Sequence, residues 1–218
     1  MKSKINWLNH LFNFLAVILG VYLAFFINEQ AKKSQDRSES FLLMTSLVND
    51  FEQDIQTYEK YQIPVNTQIQ QEVSALIDML STGSIEDIEK NLSSILQVEN
   101  FSPTVSTYSS MKLSGKLRLI EDLDLQKKLT SYYEGLVIES TRKDEYQVNF
   151  FTNELMSWLT DNVDLMEMKL FRDDDLVTLR NKLIIYGSLI EQKVTTYEMI
   201  VEDSESLKTQ IESILVSK

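Results

Sequence analysis

Cysteine, histidine, proline and glycine are scarce in this chain of 218 residues, which has no Cys, one His, two Pro and five Gly. Without Cys the chain forms neither disulfides nor thiolate metal sites, and a single His excludes metal sites built from several His. Sandwiches and barrels need a turn about every 8–12 residues, and those turns depend on Gly, Pro and Asn. The shortage of turn residues therefore predicts an all-α fold with long helices and few connections.

The chain is acidic, with 33 Asp and Glu against 21 Lys and Arg and a net charge of −12. The first 28 residues contain Lys2 and Lys4 but no acid, so the negative charge belongs to the rest of the chain. Proteins that bind nucleic acid need clustered Lys and Arg for phosphate contacts. We therefore expect no nucleic-acid partner, and an acidic body also disfavours lying flat on anionic lipid.

A long apolar segment lies near the N-terminus, and its residues 11–27 carry no charged side chain. As a helix the run 8–27 would be about 30 Å long, which matches the hydrocarbon core of a bilayer. A cleaved signal peptide and a buried core helix are the alternatives, but the small residues of a cleavage site are missing and the run is apolar on every side. We predict a tail at 1–7, a transmembrane helix at 8–27 and an extramembrane body at 28–218.

Lys2 and Lys4 precede the predicted span, whereas Lys32, Lys33 and Arg37 follow it among acids. The positive-inside count is therefore close to balanced. A short basic head before an N-terminal anchor is typical of an N-terminus that stays in the cytoplasm. We expect a single-pass protein whose body lies outside the cytoplasm, in the periplasm if the source is Gram-negative.

Small residues recur every four positions in the predicted span, at Ala16, Gly20 and Ala24. Such a row lets two helix backbones approach closely in a membrane, and Asn13 shares roughly the same face, where its amide could hydrogen-bond across the contact. The pattern indicates dimerisation or docking to another membrane protein. The alternative is chance, because small residues are common in spans.

Helical periodicity dominates the rest of the chain, and apolar residues at 41, 44, 48, 51, 55 and 58 follow the heptad spacing of a coiled coil. We predict three long helices at about 28–63, 122–160 and 174–217. A shorter helical insert at 64–120 follows Pro64, which should kink or restart the first helix. The predicted fold is an antiparallel helical bundle that continues the transmembrane helix.

The order of the predicted helices suggests a layout for the bundle. If the first helix leaves the membrane and the insert sits at the far end, the second helix returns and the third goes out again. This layout places the apolar connector 161–172 near the membrane. The stretch 139–145 (ESTRKDE) contains no apolar residue, and we expect an exposed bulge there rather than a hinge.

The span ends in GVYLAFFINE (20–29), which is similar to a G-x-x-x-A-x-x-I-N pattern. Residues 107–133 are similar to a T-Y-x-x-L-x-x-S-G-x-L … L-I … L … Y-Y segment. Both patterns resemble an uncharacterised family of small bacterial membrane proteins that cross the membrane once, although Gln30 stands where that family usually has a Trp. The resemblance implies a helical domain held at the inner membrane, and it implies no reaction.

Lys112, Lys116 and Arg118 flank the turn at 114–115 and form the most basic cluster of the acidic body. One interpretation is a docking site for an acidic partner or ligand. The other is charge balance against the acids at 121, 122 and 124.

No motif in the sequence points to catalysis, because a nucleophile elbow, a phosphate loop, HExxH and Glu-x-x-His are all missing. His10 lies at the predicted membrane edge, where it is an interfacial residue rather than a catalyst. We expect no enzyme activity, no cofactor and no metal site. The sequence favours a membrane-anchored scaffold or accessory subunit, whose partners are the lipid bilayer and either another membrane protein or a second copy of itself. The alternative is a sensor or ligand-binding module of the cell envelope that signals through a partner.

Overall fold

The structure is a computed structural model that describes residues 7–172 and 175–217. Helix accounts for 86% of it, and the strands in this part of the chain are two residues each, β1 (Val163–Asp164) and β2 (Lys169–Leu170), paired antiparallel. The predicted all-α class is therefore confirmed. The predicted start of the third long helix, at 174, lies outside the described residues.

Eight α-helices, joined in places by single π or 3₁₀ turns, make up the described bundle. They are α1 (Trp7–Thr57), α2 (Ile63–Thr82), α3 (Ile85–Asn91), α4 (Ser106–Leu113), α5 (Leu123–Ser131), α6 (Val137–Phe150), α7 (Met156–Asn162) and α8 (Leu176–Ser217). Short π segments connect α1 to α2, α5 to α6 and α6 to α7. Residues 7–82 and 123–162 therefore each run as one continuous helix.

The first helix continues past Pro64, where a kink or restart was predicted, and ends at Thr82. Proline lacks the N–H for an i→i−4 bond, and its ring crowds the preceding turn. The π segment just before it widens that turn, because the N–H of Ile63 donates to the carbonyl of Tyr58, five residues back. Pro64 then occupies the first turn of α2, where its missing donor is tolerated. Residues 64–82 thus belong to the first helix and not to the insert.

The segment between α2 and α5 runs back along the bundle instead of staying at its far end. Its residues 96–105 are not helical, and extended chain covers about 3.3 Å per residue, more than twice the rise of a helix. The hydroxyl of Ser40 in α1 donates to the carbonyl of Leu119 (2.8 Å), so this segment ends beside the start of the packed body. We call that end of the body, next to the apolar run, the proximal end, and the end at Thr82 the distal end.

The return of this segment reverses the predicted direction of the later helices. Helices α5 to α7 run outward, and α8 runs back, so that Leu215 packs in the same cluster as Met44. The connector 161–172 consequently lies at the distal end, where the N–H of Leu170 donates to the carboxylate of Glu89 in α3 (3.0 Å). The predicted position of this connector near the membrane is wrong, because the insert already spans the length of the bundle.

Two apolar clusters fill the interior, one toward each end. The proximal cluster joins the buried face of α1 from Met44 to Ile55 with α5 and the second half of α8. The distal cluster joins α2 with α7 and the first half of α8. A band of buried polar side chains separates the two clusters.

The N-terminal part of α1 has no packing partner within the described chain. Every described side chain from His10 to Gln35 is exposed. This part of the helix is long and apolar enough to cross a membrane. The same helix enters the packed body without a break at Ser40, which is buried.

Candidate functional site

The predicted packing row lies on one exposed face of α1. Asn13, Ala16, Gly20 and Ala24 are three or four residues apart, and all four are exposed. A Cβ added to Gly20 would meet no atom of the described chain within 4 Å. No residue of the described chain therefore covers this face at Gly20.

The predicted basic cluster is divided by the structure. The ammonium of Lys112 lies 2.7 Å from the carboxylate of Glu134, and that of Lys116 lies 2.5 Å from the carboxylate of Glu39. Neither partner is among the acids at 121–124 that charge balance suggested. Both pairs are partly exposed, and pairs of that kind contribute at most about 1 kcal/mol. Arg118 instead lines a cleft at the proximal end.

This proximal cleft, of about 440 Å³, lies between α1 and the turn that follows α4. Its lining consists of Lys33, Asp36, Arg37, Ser40, Arg118, Leu119 and Glu121. Within the described part of the chain, no carboxylate lies within 4 Å of the guanidinium of Arg37 or Arg118. Two guanidinium groups are therefore available to an anion in this cleft.

A buried polar layer crosses the middle of the bundle, and sequence reasoning missed it. Its buried members are Gln62, Asn66, Ser140, Asp144, Gln147, Lys193 and Thr196. The stretch 139–145 is thus no exposed bulge, because Ser140 and Asp144 face the interior while Glu139 and Glu145 face solvent. The spacing of four and three residues from 140 to 147 continues the stripe of α5, and this was the signal available in the sequence.

Lys193 on α8 is the centre of this layer and is fully buried. Its ammonium donates to the carbonyl of Glu99 (2.7 Å), to Oδ1 of Asn100 (3.1 Å) and to Oε1 of Gln147. These acceptors match the three donors of an ammonium group. Burial lowers the pKa of Lys193 to about 8. With its donors engaged and no exposed surface, this amine is a structural group rather than a nucleophile.

Three tyrosine hydroxyls hold the extended segment in place. The hydroxyl of Tyr186 donates to the carbonyl of Gln97 (3.1 Å), and that of Tyr58 donates to the carbonyl of Phe101 (3.1 Å). The hydroxyl of Tyr197 accepts from the N–H of Phe101 (3.3 Å). Backbone groups outside helices and sheets need such partners when they are buried, which explains why polar side chains gather here.

Asp144 on α6 connects this layer to the surface. It accepts a hydrogen bond from the hydroxyl of Tyr197 (2.7 Å) and lines an open groove of about 270 Å³. Burial raises the pKa of Asp144 from 3.8 to about 6, although the bond from Tyr197 and the charge of Lys193 act in the opposite direction. A raised acid pKa stabilises the fold below pH 3.8, and that contribution is lost as the pH rises through about 6.

Three features of the described chain thus qualify as candidate sites: the exposed apolar helix, the proximal cleft and the buried polar layer with its groove. Searches against known protein families, curated proteins and solved structures find no match to this chain. Of the three, the apolar helix is the feature whose exposure to water is most unfavourable, because its apolar side chains have no packing partner in the described body.

Proposed function

We propose that the chain is a membrane-anchored helical scaffold or interaction protein. The observation that carries this proposal is an uncharged helical stretch, residues 11–27, that is exposed on every side and continues directly into a packed body. Exposed apolar area is unfavourable by about 25 cal/mol per Å², and soluble monomers rarely expose patches of more than a few hundred Å². A bilayer removes that penalty.

The small-residue row on the same helix supports a protein partner within the membrane, either another membrane protein or a second copy of this chain. Ala16, Gly20 and Ala24 would allow close backbone contact, and Asn13 could add a hydrogen bond. We place the anchor in a bacterial inner membrane with the body in the periplasm, on the basis of Lys2, Lys4 and the family resemblance. We propose no catalytic role, because the buried amine, that of Lys193, and the buried hydroxyls of Tyr58, Tyr186 and Tyr197 bond the extended segment.

Alkaline extraction of cell membranes tests the anchor. The full-length protein should stay with the membrane pellet, whereas a Val17→Arg/Leu19→Arg variant should be released. Each Arg at the centre of a span disfavours insertion by about 2.5–3.5 kcal/mol. Release of the wild-type protein into the supernatant would contradict the proposed anchor.

Native mass measurement after extraction in mild detergent tests for a partner. The wild-type chain should form an oligomer or a complex, and Gly20→Ile should weaken it. Tyr22→Trp is the matched control, since it adds bulk on the opposite face of the helix. A wild-type monomer without a partner, or a Gly20→Ile complex of unchanged strength, would refute the interaction role.

A reporter that is active only outside the cytoplasm tests the orientation when it is fused after Lys218. We expect an active fusion. A fusion that is well expressed but silent would place the body in the cytoplasm.

A ligand-binding or sensor module is the second candidate, and the groove at Asp144 favours it. The groove is lined almost entirely by polar side chains and leads to the buried layer: Asn100, Ser102, Thr141, Asp144, Glu145, Val148 and Asn149. A ligand that contacts Asp144 should raise the unfolding temperature of the wild type but not of Asp144→Asn. A panel of small polyols and amines that shifts neither protein would count against this candidate.

A further inference from the structure

The tertiary structure separates the charges of the body along its axis. Three stretches meet at the proximal end, 28–41, 111–128 and 208–217, and we call them together the base. Contacts of Ser40 with Leu119 and of Lys128 with Gln210 join them. The base contains nine Lys and Arg against seven Asp and Glu, and Glu134 and Glu52, which pair with Lys112 and Lys208, bring the acids at this end to nine. The remaining residues of 42–110 and 129–207 contain nine Lys and Arg against 24 Asp and Glu. One end of a strongly acidic body is therefore close to neutral.

The base also carries isolated apolar side chains at its edges. Leu113 ends α4, Leu123 begins α5 and Val216 stands next to the end of α8, and they are 88%, 68% and 89% exposed. Three different elements thus place an apolar residue at the same end of the bundle. Cations mixed with exposed apolar side chains are characteristic of surfaces that lie against a membrane interface.

The length of α1 brings the proximal cleft close to lipid headgroups. Lys33, on the rim of the cleft, is six residues beyond Ile27, where the apolar run ends. Six helical residues span about 9 Å, and the headgroup layer on each side of a bilayer is about 5–8 Å thick. Arg37 is ten residues beyond Ile27, or about 15 Å, so the cleft opens at the outer side of the headgroup layer, and the long side chains of Arg37 and Arg118 are what extend toward it.

We infer that the base binds anionic phospholipid headgroups, and that Arg37 and Arg118 contact a lipid phosphate in the proximal cleft. The guanidinium fork matches phosphate oxygens, and neither group has a carboxylate within 4 Å in the described chain. Lys33, Asp36 and Glu121 complete the charged lining, which leaves one net positive charge, as suits a headgroup with one negative charge. This inference rests on the proposed membrane anchor and adds a fixed orientation of the body on the bilayer.

The test uses the full chain in lipid nanodiscs with and without phosphatidylglycerol. Because the chain has no Cys, a Leu113→Cys variant carries a single fluorescent label at the base. Met166→Cys carries the control label at the distal end, where the residue is 97% exposed. Quenching by headgroup-labelled lipid then reports whether each label lies close to the bilayer.

We expect the base label to be quenched more strongly when phosphatidylglycerol is present, and the distal label to be unaffected. The added quenching should fall in high salt, which screens these contacts. Arg37→Gln/Arg118→Gln should lower the docked-to-undocked ratio about 25-fold, since each cation near an anionic surface contributes about fivefold. Arg142→Gln/Arg172→Gln removes the same charge from exposed positions outside the base and should leave the quenching unchanged.

Two negative results have different meanings. If the chain does not comigrate with discs of either composition, the anchor and the docking of the base are both overturned. If it comigrates, but quenching of the base label is independent of phosphatidylglycerol and of Arg37 and Arg118, the docking inference alone is overturned. In that case the base does not contact the bilayer and is free to bind a protein partner.

Discussion

Replacing Lys193 is the most direct test of the buried polar layer. This residue is fully buried, and its ammonium bonds Glu99, Asn100 and Gln147. Lys193→Met keeps a long unbranched side chain and removes the charge and all three donors. We expect the extended segment to lose its main attachment to α8 at this point.

The magnitude follows from the acceptors that remain. A buried polar group without a partner is destabilising by about 1–3 kcal/mol. Oε1 of Gln147 is buried and would carry this penalty in full, whereas Glu99 and Asn100 are partly exposed and can recruit water. Burial of an apolar side chain instead of an ammonium recovers part of the loss. We expect a net loss of about 1–3 kcal/mol in the free energy of unfolding, or about 2–12 °C in the melting temperature for a body of this size.

The assay is urea and thermal unfolding of the full-length protein in nonionic detergent, followed by far-UV circular dichroism. Lys182→Met is the matched control on the same helix, because its ammonium pairs with Glu154 (2.7 Å) near the surface. The control should lose less than about 1 kcal/mol. In Lys193→Met/Gln147→Leu the buried acceptor is removed as well, so this double variant should be more stable than the sum of its two single variants predicts.

Two results would refute this reasoning. A Lys193→Met protein no less stable than Lys182→Met would mean that the ammonium does not hold the interior together. Strictly additive effects of the Lys193 and Gln147 substitutions would mean that the two side chains do not interact.

Three further predictions concern other parts of the bundle. Asp144→Asn removes a carboxyl whose pKa is about 6. As the pH rises from about 4 to about 6, the free energy of unfolding of the wild type should therefore fall by up to about 3 kcal/mol relative to that of the variant. Urea unfolding at each pH measures this difference. A Cβ on Gly187 would lie 3.3 Å from the side chain of Val73. Gly187→Ile should therefore lower the free energy of unfolding by about 1–3 kcal/mol, measured by thermal unfolding. Gly135→Ile is the control at an open position and should lower it less. Ser84→Ala removes the cap that accepts from an N–H of α3 (3.2 Å) and should cost about 1 kcal/mol in the same assay; an unchanged melting temperature would show that this cap is unimportant.

The helical class was predictable because its signals are local. Heptad spacing from Met44 to Tyr58 places side chains on one face regardless of what lies opposite, and most of these residues are buried. Val48 is half-buried, and Phe41, one position before this range, is exposed because it lies at the base where the packed body begins. The apolar run 8–27 was equally plain, because length and composition suffice to recognise it.

The chain path was not predictable from the same signals. Pro64 suggested a break in the helix, but the effect of a proline depends on the geometry of the turn before it. That turn is a π turn, which the residue types do not reveal. The length of the insert was also misleading, since it does not say how much of the insert is extended. An error in one segment then reversed the expected direction of the two long helices that follow.

The candidate sites divide in the same way. The common exposed face of Asn13, Ala16, Gly20 and Ala24 was predictable from the sequence, because all four lie on one helix, and its packing role stays a prediction. The buried layer was missed, because Asp144 and Lys193 look like surface residues until Tyr197 and the carbonyl of Glu99 are placed beside them.

By itself, the sequence determined that this protein is helical and that one helix has an apolar surface which its own body does not cover. Both properties depend on residues within a few turns of one another. Only the tertiary structure decided that a polar layer lies inside the bundle, that the connector 161–172 is distal and that the base is much less acidic than the rest of the body. These properties depend on which segments lie side by side, and contacts between residues far apart in the chain set that arrangement.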